Sequence, residues 1–300
     1  MGDSSTKVIR HSSNEILEEL LDERSKPLEK RLDGDLLFFM GPIMTPIDDL
    51  IKEAIESKKD KKSKLIFILE TQGGYIEVAK RIAEVTRHYY QTVEFIVPNY
   101  AMSAGTILVM SGDTIYMNYY SVLGPIDPQI DRPSVKGLVP ALGYLIQYER
   151  LIEKSRKGKL TTAEMVFLTE KFDPAELYRF EQERELSISL LKEWLVKYKF
   201  KNWATTSGRR KNVTPKMKAS RAAEIARKLN DTDRWHSHSC GITMEILVRD
   251  IKLKIEDFGQ DNEFDSEIKH YYKLISDYAQ RRGHDIVLHA YNKYSGVSLR

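Results

Sequence analysis

Cysteine is nearly absent from this chain of 300 residues: Cys240 stands alone. A single thiol excludes an internal disulfide and any cysteine-cluster zinc site. It fits a reducing compartment, so a cytoplasmic protein is expected, with Cys240 as a small buried side chain. Long apolar runs are also missing. The run LIFIL at residues 65–69 falls far short of the ~18 residues that a membrane span requires. The first 33 residues contain no apolar h-region, so no secretory signal is expected. Neither sign of charge dominates. Lys and Arg number 47 against 44 Asp and Glu, a net charge of +3, which by itself points to no nucleic-acid or membrane-surface partner. No G-x-G-x-x-G occurs, and His236 and His238 have no third ligand at metal-binding spacing. No cofactor and no metal are expected.

What is present is an ordinary globular composition, 41% hydrophobic, enough for a sizeable core. Residues 1–33 are polar and charge-rich, with a short helical stripe at Ile16, Leu17, Leu20 and Leu21. They are expected to form an N-terminal arm, packed on a neighbour or mobile. From Leu36 the pattern changes. Apolar runs at 36–40, 64–70, 92–98 and 114–118 read as strands. Helical faces at 46–57 and 75–90 and a short apolar helix at 101–111 separate them. Strand and helix alternate with short connections, which predicts stacked βαβ units around a mainly parallel sheet. The continuous apolar runs suit strands buried on both faces.

Residues 139–199 read as helical. Residues 199–218 then carry seven Lys and Arg and no acid, and read as a basic surface loop. Phe200 and Trp203 place stacking groups among those cations, but no nucleic-acid module accompanies them, and nucleic-acid binding is not expected. Helices over 219–230, near 244–248 and over 268–281 follow, with an acidic turn at 261–267 and a last strand at 285–291. The expected division is an arm (1–33), a catalytic core (34–200) and a helical C-terminal extension ending in a strand (201–300).

Three segments carry the chemistry: Glu70-Thr-Gln-Gly-Gly-Tyr75, Ala101-Met-Ser-Ala-Gly-Thr106, and Ser121-Val-Leu-Gly-Pro-Ile-Asp-Pro-Gln-Ile130. Acyl transfer needs a hydroxyl held on a sharp turn beside free backbone amides. Ser103 follows a strand and opens an apolar helix, which meets that need. Gly73 and Gly74 follow the strand at 64–70 and lack side chains, so their amides can face a developing oxyanion; the Ala104 amide can add another. In a parallel sheet both turns lie at the carboxyl ends of adjacent strands, where such folds place ligands. Taken singly, each piece has an ordinary reading: a Gly-Gly turn reverses the chain, and a serine at a helix start caps it. Glu70 reads as a strand-end carboxylate facing solvent.

The runs T-x-G-G, A-M-S-A-G-T and L-G-P-I-D-P-Q-I resemble the serine dehydrogenase proteinase family. That family is similar to the signal peptide peptidase A group within the Clp-protease/crotonase fold. Residues 36–130 carry the resemblance best, and Trp235-His-Ser-His238 looks like the family's W-x-H segment. The resemblance implies Ser103 as nucleophile and Gly73, Gly74 and Ala104 as oxyanion donors. It implies a serine endopeptidase acting on peptides or proteins, and a homo-oligomer. Where the Clp subunit has its histidine, this chain has Ile126-Asp127-Pro128-Gln129, and the first histidine after Ser103 is His236. A serine–lysine dyad is therefore expected, with Lys136, the first lysine after Ser103, as base. Lys154, Lys157 and Lys159 are rivals on a hydrophilic helix end. His238 stays open as a structural histidine or a long-range base. Asp127, between Pro125 and Pro128, orients the base or turns the loop. The alternatives are an acyl-CoA enzyme, for which no nucleophilic serine is needed, and a catalytically weak or inactive regulatory protein on the same fold.

Overall fold

The computed structural model describes residues 12–126, 129–131, 138–206, 208, 210–235 and 241–299. The strands are β1 (Asp35–Met40), β2 (Lys64–Glu70), β3 (Thr92–Ile96), β4 (Tyr100–Ala101), β5 (Thr114–Met117) and β6 (Val122–Leu123). They continue with β7 (Gln129–Asp131), β8 (Leu138–Pro140), β9 (Ile242–Thr243), β10 (Glu256–Asp257), β11 (Ile286–Ala290) and β12 (Lys293–Val297). The helices are α1 (Ser13–Leu32), α2 (Ile47–Ser57), α3 (Ile76–Tyr89), α4 (Ala104–Val109), α5 (Ala141–Arg156) and α6 (Thr162–Lys171). After them come α7 (Pro174–Trp194), α8 (Pro215–Leu229), α9 (Thr232–Trp235), α10 (Met244–Arg249) and α11 (Asn262–Arg282).

The apolar runs form the middle of a seven-stranded sheet, ordered β10-β5-β3-β2-β1-β11-β12. β1, β2, β3 and β5 run parallel, with Phe38 beside Ile68, Phe67 beside Phe95, and Phe95 beside Ile115. Strand side chains alternate between faces. Leu37, Phe39, Leu65, Phe67 and Leu69 therefore join one core with helices α2, α3, α4, α7 and α8. Leu36, Phe38, Ile66 and Ile68 join a second core with α1 and α11. Burial on both faces explains why these strands lack polar alternation. The fold is thus α/β with a mostly parallel sheet and a helix-rich C-terminal region, as the alternating pattern predicts.

Of the residues expected to form an arm, those from Ser12 onward fold back on their own chain. Ser12 accepts the Glu15 N–H at 3.2 Å and donates its own N–H to the Glu15 carboxylate at 2.7 Å, a capping box that starts α1. Leu21 and Leu28 are fully buried against the sheet and α11. His289 ties the same helix to β11, with Asp22 3.0 Å from Nε2 and the Tyr271 hydroxyl 2.7 Å from Nδ1. Burial lowers the His289 pKa, with Asp22 acting in the opposite direction. Leu28→Ala is expected to destabilise the whole protein by about 2–5 kcal/mol, read as a lower midpoint in a single denaturant transition. An unchanged midpoint would mean that α1 lies outside the cooperative unit.

Two other segments differ from expectation. The acidic turn at 261–267 is a helix start: Asp261 accepts the N–H groups of Glu263 (3.1 Å) and Phe264 (3.0 Å), and acids favour a first turn. The basic stretch gives way to α8 at Pro215, with the Thr214 hydroxyl capping Met217. Its Trp203 ring packs edge-on against Phe200 at 5.5 Å. No described helix is long and apolar enough to cross a membrane.

Candidate active site

The β2 strand does not stop at Glu70 without a partner. Thr71 donates its N–H to Tyr100 O (3.1 Å), and Met102 donates to Thr71 O (2.9 Å). This parallel bridge between Thr71 and Ala101 puts Gly73 level with Ser103. The approach is close. A Cβ on Gly73, whose φ is +99°, would lie 2.7 Å from Ser103 Cβ and 2.8 Å from Met102 O. On the other side, Ile43 clamps Gly74: Ile43 N–H donates to Gly73 O and Tyr75 N–H to Ile43 O, both at 2.8 Å.

Met102 and Ser103 connect β4 to α4, and Ser103 bends the chain there, with φ 51° and ψ −119°. This conformation is sparsely populated for any residue with a Cβ and costs roughly 1–3 kcal/mol. The surroundings hold it. Gly105 N–H bonds Met102 O at 2.8 Å, and Ile107 N–H bonds Ser103 O at 3.3 Å. The buried Thr106 hydroxyl lies 2.8 Å from Ala101 O and 2.9 Å from Gly124 O, and accepts the Gly124 N–H at 2.9 Å. The ordinary role of a serine here is excluded, since its side chain makes no cap to the helix. Among the described residues, the Ser103 hydroxyl has no hydrogen-bond partner. A strained turn carrying a hydroxyl unengaged by described residues is the arrangement nucleophilic catalysis needs.

The three expected donors separate. Gly73 N–H donates to Thr71 Oγ1 at 3.0 Å, so it is already engaged. Gly73 contributes its lack of a side chain, which lets the two turns touch. The Gly74 and Ala104 amides form no hydrogen bond to any described residue. The Ala104 nitrogen lies 3.4 Å from where a Gly73 Cβ would sit, which puts it within the contact between the two turns. The α4 helix has only six residues, so these local amides matter more than any helix dipole.

Glu70 does not face solvent. It is 7% exposed, and its Oε2 accepts from the Tyr272 hydroxyl and, at 3.1 Å, from Asn99 Nδ2. Burial raises its pKa, against the lowering effect of those donors. A cleft of about 480 Å³ opens beside it and is lined by Thr71, Gln72 and Tyr100, among others.

The expected base Lys136, and with it Asp127, His236 and His238, lies outside the described residues. Around them, Ile126 N–H donates to Leu229 O at 3.2 Å, and a Cβ on Gly241 would meet Val122 at 3.0 Å. The rival lysines are surface charges: Lys154 pairs with Glu164 at 2.6 Å, Lys157 pairs with Glu153, and Lys159 is exposed. Burial lowers the Lys199 pKa to about 8, helped by Lys254. Its charged neighbours include Asp113, just before β5, at the opposite end of the strands from Ser103. Among the described residues, no group of His, Cys, Asp and Glu could hold a metal ion.

Residues 38–157 match the family described as ClpP-like SDH-type serine proteinases. This segment contains Ser103 and all three motifs. The resemblance read from the motifs holds over it, and it supports a serine peptidase. Two uncharacterized proteins of Methanocaldococcus jannaschii are similar. One is 34% identical over 95 residues, 32% of this chain and 32% of the relative. The other is 36% identical over 87 residues, 29% of this chain and 28% of the relative. The aligned part of this chain thus spans about a third of each relative's length. Among solved structures, a serine-to-alanine mutant of the 1510-N membrane-bound stomatin-specific protease is 14% identical with a TM-score of 0.45, over 77% of this chain and 81% of that one. A ClpP1 mutant from Listeria monocytogenes is 14% identical with a TM-score of 0.33, over 56% and 77%.

Proposed function

We propose that the chain is a serine endopeptidase that cleaves peptides or proteins through an acyl-enzyme on Ser103, with Lys136 as general base. The observation that carries this reading is the Ser103 turn: a strained residue, a hydroxyl unengaged by described residues, and the Gly73 turn packed against it. In the reaction, the base takes the hydroxyl proton as Oγ attacks the scissile carbonyl. The Gly74 and Ala104 amides hold the oxyanion of the tetrahedral intermediate. Its collapse expels the amine, which takes the proton from the base. Water then attacks the acyl-enzyme by the same route and frees Ser103.

The lysine rests on the family resemblance and on the lack of any histidine between Ser103 and His236. To act near neutral pH, it must be held below its ordinary pKa by burial or by nearby positive charge. Assembly from several copies in the cytoplasm belongs to the same reading. The exposed apolar side chains Met165, Val166 and Phe167 on α6 support a contact between copies.

The test is labelling by a fluorophosphonate, together with hydrolysis of an unstructured protein substrate. The wild type is expected to label and to hydrolyse. Lys136→Ala is expected to lose about 10²–10⁴-fold in rate, the usual contribution of a general base, while Lys154→Ala and Lys157→Ala keep full rate. Full activity in Lys136→Ala would remove it as base and turn the search to His238.

A further inference from the structure

We propose that Glu70 is the positioning residue of this site, its carboxylate fixing the oxyanion turn against the nucleophile turn. The proposal rests on the serine-peptidase reading. The bridge between Thr71 and Ala101 sets Glu70 level with Tyr100, three residues before the level of Gly73 and Ser103. Glu70 thus stands at the root of both turns. One oxygen, Oε2, gathers Asn99 Nδ2 at 3.1 Å and the Tyr272 hydroxyl, and Asn99 Nδ2 lies 3.2 Å from that same hydroxyl. Asn99 also reaches the third motif, since its carbonyl accepts Val122 N–H at 2.9 Å. The carboxylate therefore joins the end of β2, the loop that leads into Ser103, and α11.

The contacts call for an acceptor at Oε2. Two donors converge on one oxygen, Oε2, and a carboxylate accepts both without bringing a donor of its own. Yet no described cation is there to favour the charge. The groups facing Glu70 are Tyr272 from α11, Tyr100 from β4 and Asn99 before it, while Asp285 lines the same cleft ahead of β11. Burial accordingly raises the Glu70 pKa above its ordinary 4.5. A carboxyl whose folded pKa exceeds its unfolded one destabilises the fold above that folded value, and the penalty is relieved as pH falls through it. Ionising Glu70 therefore works against stability. A residue kept only for its hydrogen bonds would not need the charge.

Glu70→Gln separates the two roles, because the amide keeps the shape and one acceptor oxygen. The readouts are the fluorophosphonate inactivation rate between about pH 4.5 and 8, kcat and KM for an ester substrate, and the thermal midpoint. The wild-type rate is expected to fall on the acid side as Glu70 protonates. Glu70→Gln is expected to react about ten- to a hundredfold more slowly at pH 8, the scale of a small misplacement of reacting groups. It should lack that acid limb, keep its KM, and melt no lower than wild type. A variant with the wild-type rate and acid limb would overturn this proposal alone, as would a rate loss accompanied by a lower midpoint. A wild type that does not label at all would overturn both this proposal and the peptidase reading.

Discussion

Replacing Ser103 with alanine should abolish fluorophosphonate labelling and lower kcat/KM by at least about 10³-fold, or about 4 kcal/mol of transition-state stabilisation. Stability should barely change. The serine hydroxyl makes no hydrogen bond to a described residue, and alanine meets the same strain at φ 51°. Ser103→Gly sharpens the test. It is equally inactive, but glycine adopts this backbone without penalty, so the protein should unfold about 1 kcal/mol later. Inactivity paired with a gain in stability is the mark of a nucleophile held under strain. Persistent labelling in Ser103→Ala would remove Ser103 from the mechanism, whatever the stability.

Gly74→Ala should be the most damaging of the small substitutions. At φ +147° a Cβ would sit 2.2 Å from Ile43 O and 2.8 Å from Ile43 C. The obstruction is backbone, which cannot rotate away like a flexible side chain, and Ile43 is itself pinned by its bonds to Gly73 and Tyr75. The expected cost is about 3 kcal/mol or more in denaturant unfolding. Protein that still folds should lose kcat about 10²–10³-fold with little change in KM, because the Gly74 amide is displaced from the oxyanion. Gly143→Ala is the control. It lies within α5 with open space around it, so it should be neutral or stabilise by up to about 1 kcal/mol. Wild-type kcat in Gly74→Ala would show that this amide does not serve the oxyanion.

Particular elements explain how much of this was legible from residues alone. LIFIL is continuous because β2 is central and buried on both faces, so its sequence announced its position. The stripes of α2 and α3 behaved likewise, with Ile47, Ile51, Ile55, Ala79 and Ile82 all buried. The apolar run at 286–290 announced a strand but not its neighbour. That β11 lies antiparallel beside β1, Leu37 opposite Ala290, is a fact of pairing between residues far apart in the chain. The stripe in α1 looked weak because only part of one face is buried; its length follows from the Ser12 cap and from packing on α11. The burial of Glu70 is not legible in the sequence for a similar reason. A carboxylate at a strand end normally meets water, and its main donor, Tyr272, lies 202 residues away.

The sequence by itself determined the βαβ core, the place of Ser103 at a strand-to-helix turn, and the glycines that let another turn approach it. These are local matters, settled by periodicity, by small side chains and by the backbone freedom of glycine. Only the tertiary structure decided which groups are left over for chemistry. It engaged the Gly73 amide with Thr71, left those of Gly74 and Ala104 without a described partner, freed Ser103 from capping, and buried Glu70 at the root of the two turns. Whether a donor is free depends on every acceptor brought near it, and that is fixed when distant segments pack, not by the residues on either side.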